Sequence, residues 1–485
     1  MQTNRISDWI YQNLFVLLCG IGILLWWFLC RMIHPSVPIL IEENNPVYLP
    51  IVGYISLACL SLPGIVYLFR HEFRELRWQE QLQSIGIVMM LSTIVCRPAP
   101  YLRAQIFFFA FTFIAFIASQ TREWRKQPIF YYACWIYVIC MSLSLLWTPH
   151  SREISTYFNR LVPLASYSLA FAFVSLSKQN YARLLTIFWH VVCIACLLCV
   201  ASGIYETQRL GFDLSEFIQF RKINLHDYFP FQILFAWSGA GHPSYNALWI
   251  MAGLTCSFYL ADKQYISWFE LAFGCMLTLF IVIATQSRVG SVMWLMIVFL
   301  GIIYCLRKYK YVLTGILVLS IGSVLAFCLM HLDAIIDLYS DPVRERIFRI
   351  TYDYLHADPW VGCGLGGMTY EHMESVIGYE IKDFWPQYPH NQFLGDWMQA
   401  GIIGLIVSLG IVGIGFYEAI HQRSFIGFVY MTAVFFFMLI EMPFRFLGGT
   451  TIIAFFICFI FGHHNALNCD KAPDMPACDS STRTK

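Results

Sequence analysis

Apolar runs follow one another from around Ile21 to around Phe456, separated for the most part by short polar stretches. A helix needs about 20 apolar residues to cross a bilayer. Roughly fourteen runs approach that length. They centre on Ile21, Leu57, Val88, Phe111, Ile136, Leu169, Ile194, Met251, Leu277, Met296, Leu319, Ile406, Phe435 and Phe456. The runs at Val88 and Phe111 are short, and Arg97-Pro98-Ala99-Pro100 separates them, which predicts tilted or partly interfacial helices. The first run is too long for a signal-peptide core and lacks a small-residue cleavage site, so it is expected to stay as an anchor. The pattern predicts an all-α polytopic membrane protein with about 12–14 transmembrane helices.

Two long polar stretches break the pattern, Glu206 to Gly241 and Leu332 to Pro389. Loops of such length in a compact protein usually serve function. Within the second, Pro342 predicts a helix start, and Ala357-Asp358-Pro359 ends that helix. Arg344 and Phe348 then share a face. Gly362-Cys363-Gly364-Leu365-Gly366-Gly367 follows. Glycine-rich loops can cradle phosphates, but this one follows a helix and has no P-loop lysine. It reads as a tight loop packed near the bilayer. The chain thus divides into N-terminal helices and the first long loop (1–240), a core containing the second long loop at 332–392 (241–463), and a polar tail expected to be disordered (464–485).

Composition supports the membrane assignment. Only 13% of the 485 residues are charged and 58% are hydrophobic, against about 25% charged in soluble proteins. A net charge of +1 gives no case for nucleic-acid binding. Most of the 17 cysteines lie in apolar runs as small apolar filler. Cys193, Cys196 and Cys199 are three apart, but only His190 is near them, so no metal site is read.

Basic residues in short loops orient the chain. Arg70, Arg74 and Arg77, then Arg122, Arg125 and Lys126, then Lys178 and Arg183, then Arg307, Lys308 and Lys310 all fall on one side. That side is read as cytoplasmic, with Cys469 and Cys478 of the tail reduced there. The two long loops are then external. They carry Arg209, Arg221, Lys222, Arg344, Arg346, Arg349 and Lys382. Singly, each suits a solvated face; as a group beside a membrane they suggest an anionic ligand.

Candidate chemistry gathers at that outer face. Arg288, in Thr285-Gln286-Ser287-Arg288-Val289-Gly290, sits between two apolar runs with almost no loop to spare. It can anchor the helix by snorkelling or clamp a phosphate. His390 follows Trp385-Pro386-Gln387-Tyr388-Pro389, and Asn391 can cap or orient the next helix. A histidine there is either structural or a proton acceptor that needs no metal. Asp396, Glu418 and Glu441 lie within or at the ends of the last helices, where acids suggest function, a proton relay included. Asp396 is more than one turn from His390 and is not paired with it.

These residues together resemble the O-antigen ligase and polymerase superfamily of bacterial envelope enzymes. His390-Asn391, Leu394, Gly401 and Gly404 follow the family pattern, with Gln399 where the family usually has glutamate. Arg344, Phe348 in place of tryptophan, Pro359, Gly362 and Gly364 fit an upstream pattern. Ser287-Arg288 matches a third, and Gly241-His242-Pro243-Ser244-Tyr245-Asn246-Ala247 a looser fourth. The resemblance spans Gly241 to Gly404. It implies a GT-C-like, metal-independent, inverting glycosyltransferase without a cofactor, in the bacterial inner membrane and facing the periplasm. The donor would be a glycan on undecaprenyl diphosphate, embedded among membrane lipids. The acceptor would be a lipid A-core sugar in the ligase branch of lipopolysaccharide biosynthesis, or another repeat unit in the polymerase branch. Together with the charge pattern of the outer loops, the resemblance makes His390 the expected base and Arg288 and Arg344 the expected diphosphate clamps, while Arg349, Arg346, Asn391 and, from the first loop, Arg221 are expected to bind substrate. The helix count and two long loops suit a polymerase. The His-Asn-x-x-Leu pattern just after a long loop tips the reading to a ligase. A transporter or flippase, the alternative from another class, predicts paired broken helices and midplane sites, and the chain lacks two-fold hydropathy symmetry.

Overall fold

A computed structural model describes residues 50–70, 76–95, 98–118, 127–148, 154–209, 243–284, 287–307, 309, 342–381 and 388–468. Among the described residues there are fourteen α-helices and no strand. In chain order they are α1 (Pro50–Arg70), α2 (Trp78–Thr93), α3 (Pro98–Ile117), α4 (Ile129–Leu143), α5 (Ile154–Phe173), α6 (Lys178–Arg209) and α7 (Pro243–Asp262). Then come α8 (Trp268–Ala284), α9 (Arg288–Leu306), α10 (Pro342–Ala357), α11 (Tyr370–Ile377), α12 (Gln392–His421), α13 (Phe425–Ile440) and α14 (Leu447–Asn468). The expected helices at Ile21 and Leu319, most of the first long loop and the tail beyond 468 lie outside the described residues.

Among the described residues, four segments are long and apolar enough to cross a membrane: Ile129–Trp147, Lys178–Leu197, Val289–Leu306 and Gln392–His421. Six shorter apolar helices join them. The protein is an all-α polytopic membrane protein. Surface pattern supports this. On α12, Ile403, Ile406, Leu409, Tyr417 and Ile420 form an exposed apolar stripe. On α4, Tyr132, Trp135, Ile136, Ile139 and Leu143 do the same, while Phe130, Cys134, Tyr137 and Met141 pack inward. A helix apolar on both its packed and its unpacked face suits lipid rather than water.

Helix α14 is the centre of the bundle. Its residues from Ile452 to Phe461 are buried without a break, as a helix apolar all round requires. Phe455, Phe456 and Phe459 meet Phe171, Phe188 and Tyr181 at ring separations of 5.5, 4.5 and 4.9 Å.

Polar side chains close helix ends that would otherwise leave backbone groups unpaired. Gln83 of α2 donates to Phe173 O and accepts from Ser175 N, spanning the α5–α6 link. Glu418, flagged from sequence as an intramembrane acid, accepts from Ile129 N at the start of α4 at 3.0 Å. A carboxylate at a helix amino terminus is well placed against the helix dipole, which gives Glu418 a structural task.

The described part of the second long loop, 342–381, is folded. Helix α10 buries Ile350, Tyr354 and Leu355 in a small core with Cys363, Met368, Met373 and Ile381, and Met398 of α12 completes it. The loop is therefore seated on the membrane bundle through α12.

Candidate functional site

Asn391 starts the site. Its side-chain oxygen accepts from Leu394 N at 3.1 Å and caps α12, as its type predicts. Its amide donates to Leu439 O at the end of α13. Cap and amide together tie the start of α12 to the end of α13, which brings Glu441 beside the preceding residue, His390.

His390 has φ 48, in the left-handed region. Histidine tolerates that region better than bulkier residues, at a cost of about 1 kcal/mol or more. Side-chain contacts offset it. Nδ1 lies 3.3 Å from Glu441 Oε2, and the ring stands 4.6 Å from that of Tyr388. Glu441 is only 3% exposed. Its other oxygen accepts from Ser244 Oγ, near the start of α7, at 3.4 Å. A carboxylate on Nδ1 selects the tautomer that leaves the lone pair on Nε2, and it would stabilise an imidazolium formed there. Such an arrangement can serve as a general base with its orienting acid.

Tyr388 is held as a neutral phenol. Burial raises its pKa; the nearby Arg445 opposes that rise and Glu441 adds to it. Arg445 lies over the Tyr388 ring, its guanidinium carbon 4.5 Å from the ring centroid. It sits on the short turn Pro443–Arg445. Gln392 fixes that turn by accepting from Phe444 N at 3.0 Å, and its amide donates to Asp396 Oδ1. Asp396 also accepts from Tyr137 OH at 2.9 Å. Asp396 thus braces α4, α12 and the turn, in agreement with its separation from His390.

Downstream, α12 is not continuous. Ala400 (φ −116, ψ 18) and Gly401 (φ 62, ψ −156) leave helical geometry. The break frees the carbonyls of Met398 and Gln399, and the glycine loop uses them. Cys363 N donates to Met398 O at 2.9 Å and Gly364 N to Gln399 O at 2.8 Å. A Cβ on Gly401 would collide with the Trp360 carbonyl, and one on Gly362 with Met398 O and Gly401 N. Trp397 Nε1 donates to Pro359 O. On its far side the loop meets the end of α4, where Leu365 N donates to Ser144 Oγ and Thr148 Oγ1 to Leu365 O. The tight loop expected from sequence is thus a strap across a broken helix, and its partner is backbone. Burial pushes the Cys363 thiol up to about 12, so it stays protonated and donates to Met398 O.

Gln399, where the resemblance expected an acid, contributes its backbone carbonyl to the strap. Its side chain is 5% exposed, and Oε1 has no hydrogen-bond partner among the described residues. The carboxylate beside His390 comes instead from Glu441, which sequence spacing had not joined to the histidine.

Of the expected arginines, Arg288 is the first residue of α9, capped by the Ser287 side chain on Gly290 N. Gly290 lets α9 approach Ala247 of α7, one turn from Ser244. The backbone of Arg288 is thereby placed at the same end as Ser244 and Glu441. Arg344 lies in the first turn of α10. The side chains of Arg288 and Arg344 are outside the described residues, as are Arg221 and Lys382. Arg346 and Arg349 are exposed on α10. There they act on Tyr379, whose pKa burial and its bond to Asp353 raise and the two arginines lower. The structure unites His390, Asn391, Glu441, Ser244, Tyr388 and Arg445; it sets Arg346 and Arg349 toward α11.

Glu441 was read as an acid suggesting function but was not joined to His390, and Tyr388 and Arg445 were not singled out. Arg445 had a readable signal, since Met442-Pro443-Phe444-Arg445-Phe446 places an arginine in a minimal link between two apolar helices, as at Arg288.

Residues 273–409 match the family model described as O-antigen ligase. The match runs from α8 past the break in α12. It includes Arg288, Arg344, the strap and His390-Asn391, and leaves Ser244, Glu441 and Arg445 outside. No curated protein matches the chain.

Proposed function

We propose, on the premise that residues 273–409 form an O-antigen ligase-related segment, that this membrane protein is a glycosyltransferase acting at the membrane end that holds His390. The donor is a glycan on undecaprenyl diphosphate, and the acceptor is a sugar hydroxyl of lipid A-core at the periplasmic face of the bacterial inner membrane. The observation that carries the reading is the His390–Glu441 pair, with Nδ1 on a buried carboxylate at 3.3 Å.

In this mechanism His390 Nε2 takes the acceptor hydroxyl proton as the oxygen attacks the anomeric carbon. The bond from that carbon to the diphosphate oxygen breaks, and the diphosphate leaves with its electron pair. In-line attack inverts the anomeric centre. Glu441 holds the imidazole tautomer and balances the imidazolium. Arg288 and Arg344 stabilise the leaving diphosphate, as guanidinium groups do without being deprotonated. Arg346, Arg349 and Arg221 collect the anionic donor at the surface, and Asn391 fixes the histidine backbone.

Glu441→Gln keeps the shape and a hydrogen-bonding group but removes the charge. It is expected to lower kcat about tenfold or more, with donor KM little changed. Steady-state kinetics with varied donor checks this; an unchanged kcat would remove Glu441 from the mechanism.

The second reading is a polymerase of the same superfamily, which the folded second loop suits equally. Product analysis separates them. Cells lacking a ligase keep long polymers on the lipid carrier, and cells lacking a polymerase put single repeats on lipid A-core. A transporter is less well supported. The broken helix α12 is the kind of element transporters use, but its freed carbonyls are already bonded by Cys363 N and Gly364 N, so they are not open to a solute.

A further inference from the structure

We infer that Arg445 binds the diphosphate of the donor lipid beside His390, which makes it a cation of the site additional to Arg288 and Arg344; this rests on the function proposed above. The placement is built rather than incidental. The turn that carries Arg445 is pinned by Gln392 through Phe444 N, by the Phe444 ring against Tyr137 at 5.2 Å, and by Arg445 N on Met442 O. The guanidinium lies on Tyr388, whose ring also meets those of His390 and Phe446. Its charge reaches both Tyr388 and Cys363 of the strap. Arg445 therefore stands where three elements meet: the strap, the His390 junction and the α13–α14 turn.

A guanidinium held against an aromatic face keeps its edge N–H donors directed sideways, in a fork that matches phosphate oxygens. The leaving oxygen of the transfer reaction must come near the base that activates the incoming hydroxyl, since both bond to the same carbon. A cation two ring contacts from that base is suitably placed to meet the charge that develops on the diphosphate. A purely structural anchor, holding Tyr388 in place or marking the membrane boundary, would act equally on ligands with and without phosphate.

The test is equilibrium binding to the full-length protein in detergent, with undecaprenyl diphosphate, undecaprenol and phosphatidylglycerol as separate probes. Wild type is expected to prefer the diphosphate lipid to undecaprenol. If it shows no such preference, the proposed function fails and the role of Arg445 with it. Arg445→Gln is expected to weaken the diphosphate lipid about tenfold or more and to leave undecaprenol and phosphatidylglycerol unchanged. Arg445→Lys keeps charge without the fork and is expected to weaken the diphosphate lipid by a smaller factor, several-fold. It carries the test if the glutamine variant does not fold. Undiminished diphosphate binding in the folded variants overturns the inference; so does an equal loss for undecaprenol, which would mark a structural anchor, and so does an equal loss for phosphatidylglycerol, which would mark a site for any lipid phosphate.

Discussion

His390→Asn is expected to lower glycan transfer by about 100-fold to 10,000-fold while the protein stays folded. Asparagine tolerates the left-handed backbone that His390 adopts, so the substitution removes the imidazole without adding strain. The carboxamide has no lone pair basic enough to accept a hydroxyl proton. Alanine at the same position would confound the loss of the base with strain at φ 48. Donor binding should be almost unaffected, because His390 acts on the acceptor. The pair of readouts is transfer rate and thermal unfolding, and a near-normal rate in the folded asparagine variant would mean that another group takes the proton.

The second large effect removes no chemical group. Gly401 combines φ 62 with ψ −156, a region open almost only to glycine. Its missing Cβ is also what admits the Trp360 carbonyl. Gly401→Ala imposes backbone strain of about 1–3 kcal/mol and forces the strap away. With it go the bonds from Cys363 N to Met398 O and from Gly364 N to Gln399 O, at about 0.5–1.5 kcal/mol each. The freed carbonyls would then lie unpaired at the membrane end, which costs more. The expected result is loss of activity with new proteolytic cleavage between Trp360 and Gly366. Gly413→Ala on the same helix is the comparison, because nothing lies within 4 Å of the position its Cβ would take. It should behave as wild type. Equal protease resistance in the two variants would show that the strap is held by something other than the break.

Local features of this chain were readable, and remote pairings were not. The helix from Pro342 ends at Ala357, as proline at its start and Asp358-Pro359 after it dictate. Asn391 caps α12 because asparagine before an apolar run does so. The break at Gly401 was hidden, since apolar residues keep helical spacing on both sides and the freed carbonyls are satisfied by a loop some 35 residues away in sequence. Glu441 was visible as an acid at a helix end. Its link to His390 needs the whole α12–α13 hairpin, a separation of 51 positions, and no spacing rule spans that distance. Gln399 misled in the other direction. Its departure from glutamate suggested a missing acid, yet the residue serves the strap through its backbone carbonyl, which a residue of any type would supply. The expected arginines were readable as a group of charges, but only a folded chain separates Arg346 and Arg349, exposed on α10, from Arg445 near the histidine.

The most direct measurement is glycosidic bond formation by the purified protein in detergent, without a membrane gradient, from an undecaprenyl-diphosphate-linked glycan and a lipid A-core acceptor. On this reading the wild type makes a new linkage of inverted anomeric configuration, and His390→Asn makes almost none. A wild-type protein that forms no linkage while moving the lipid-linked glycan across vesicles, or a His390→Asn protein that transfers at the wild-type rate, would contradict it.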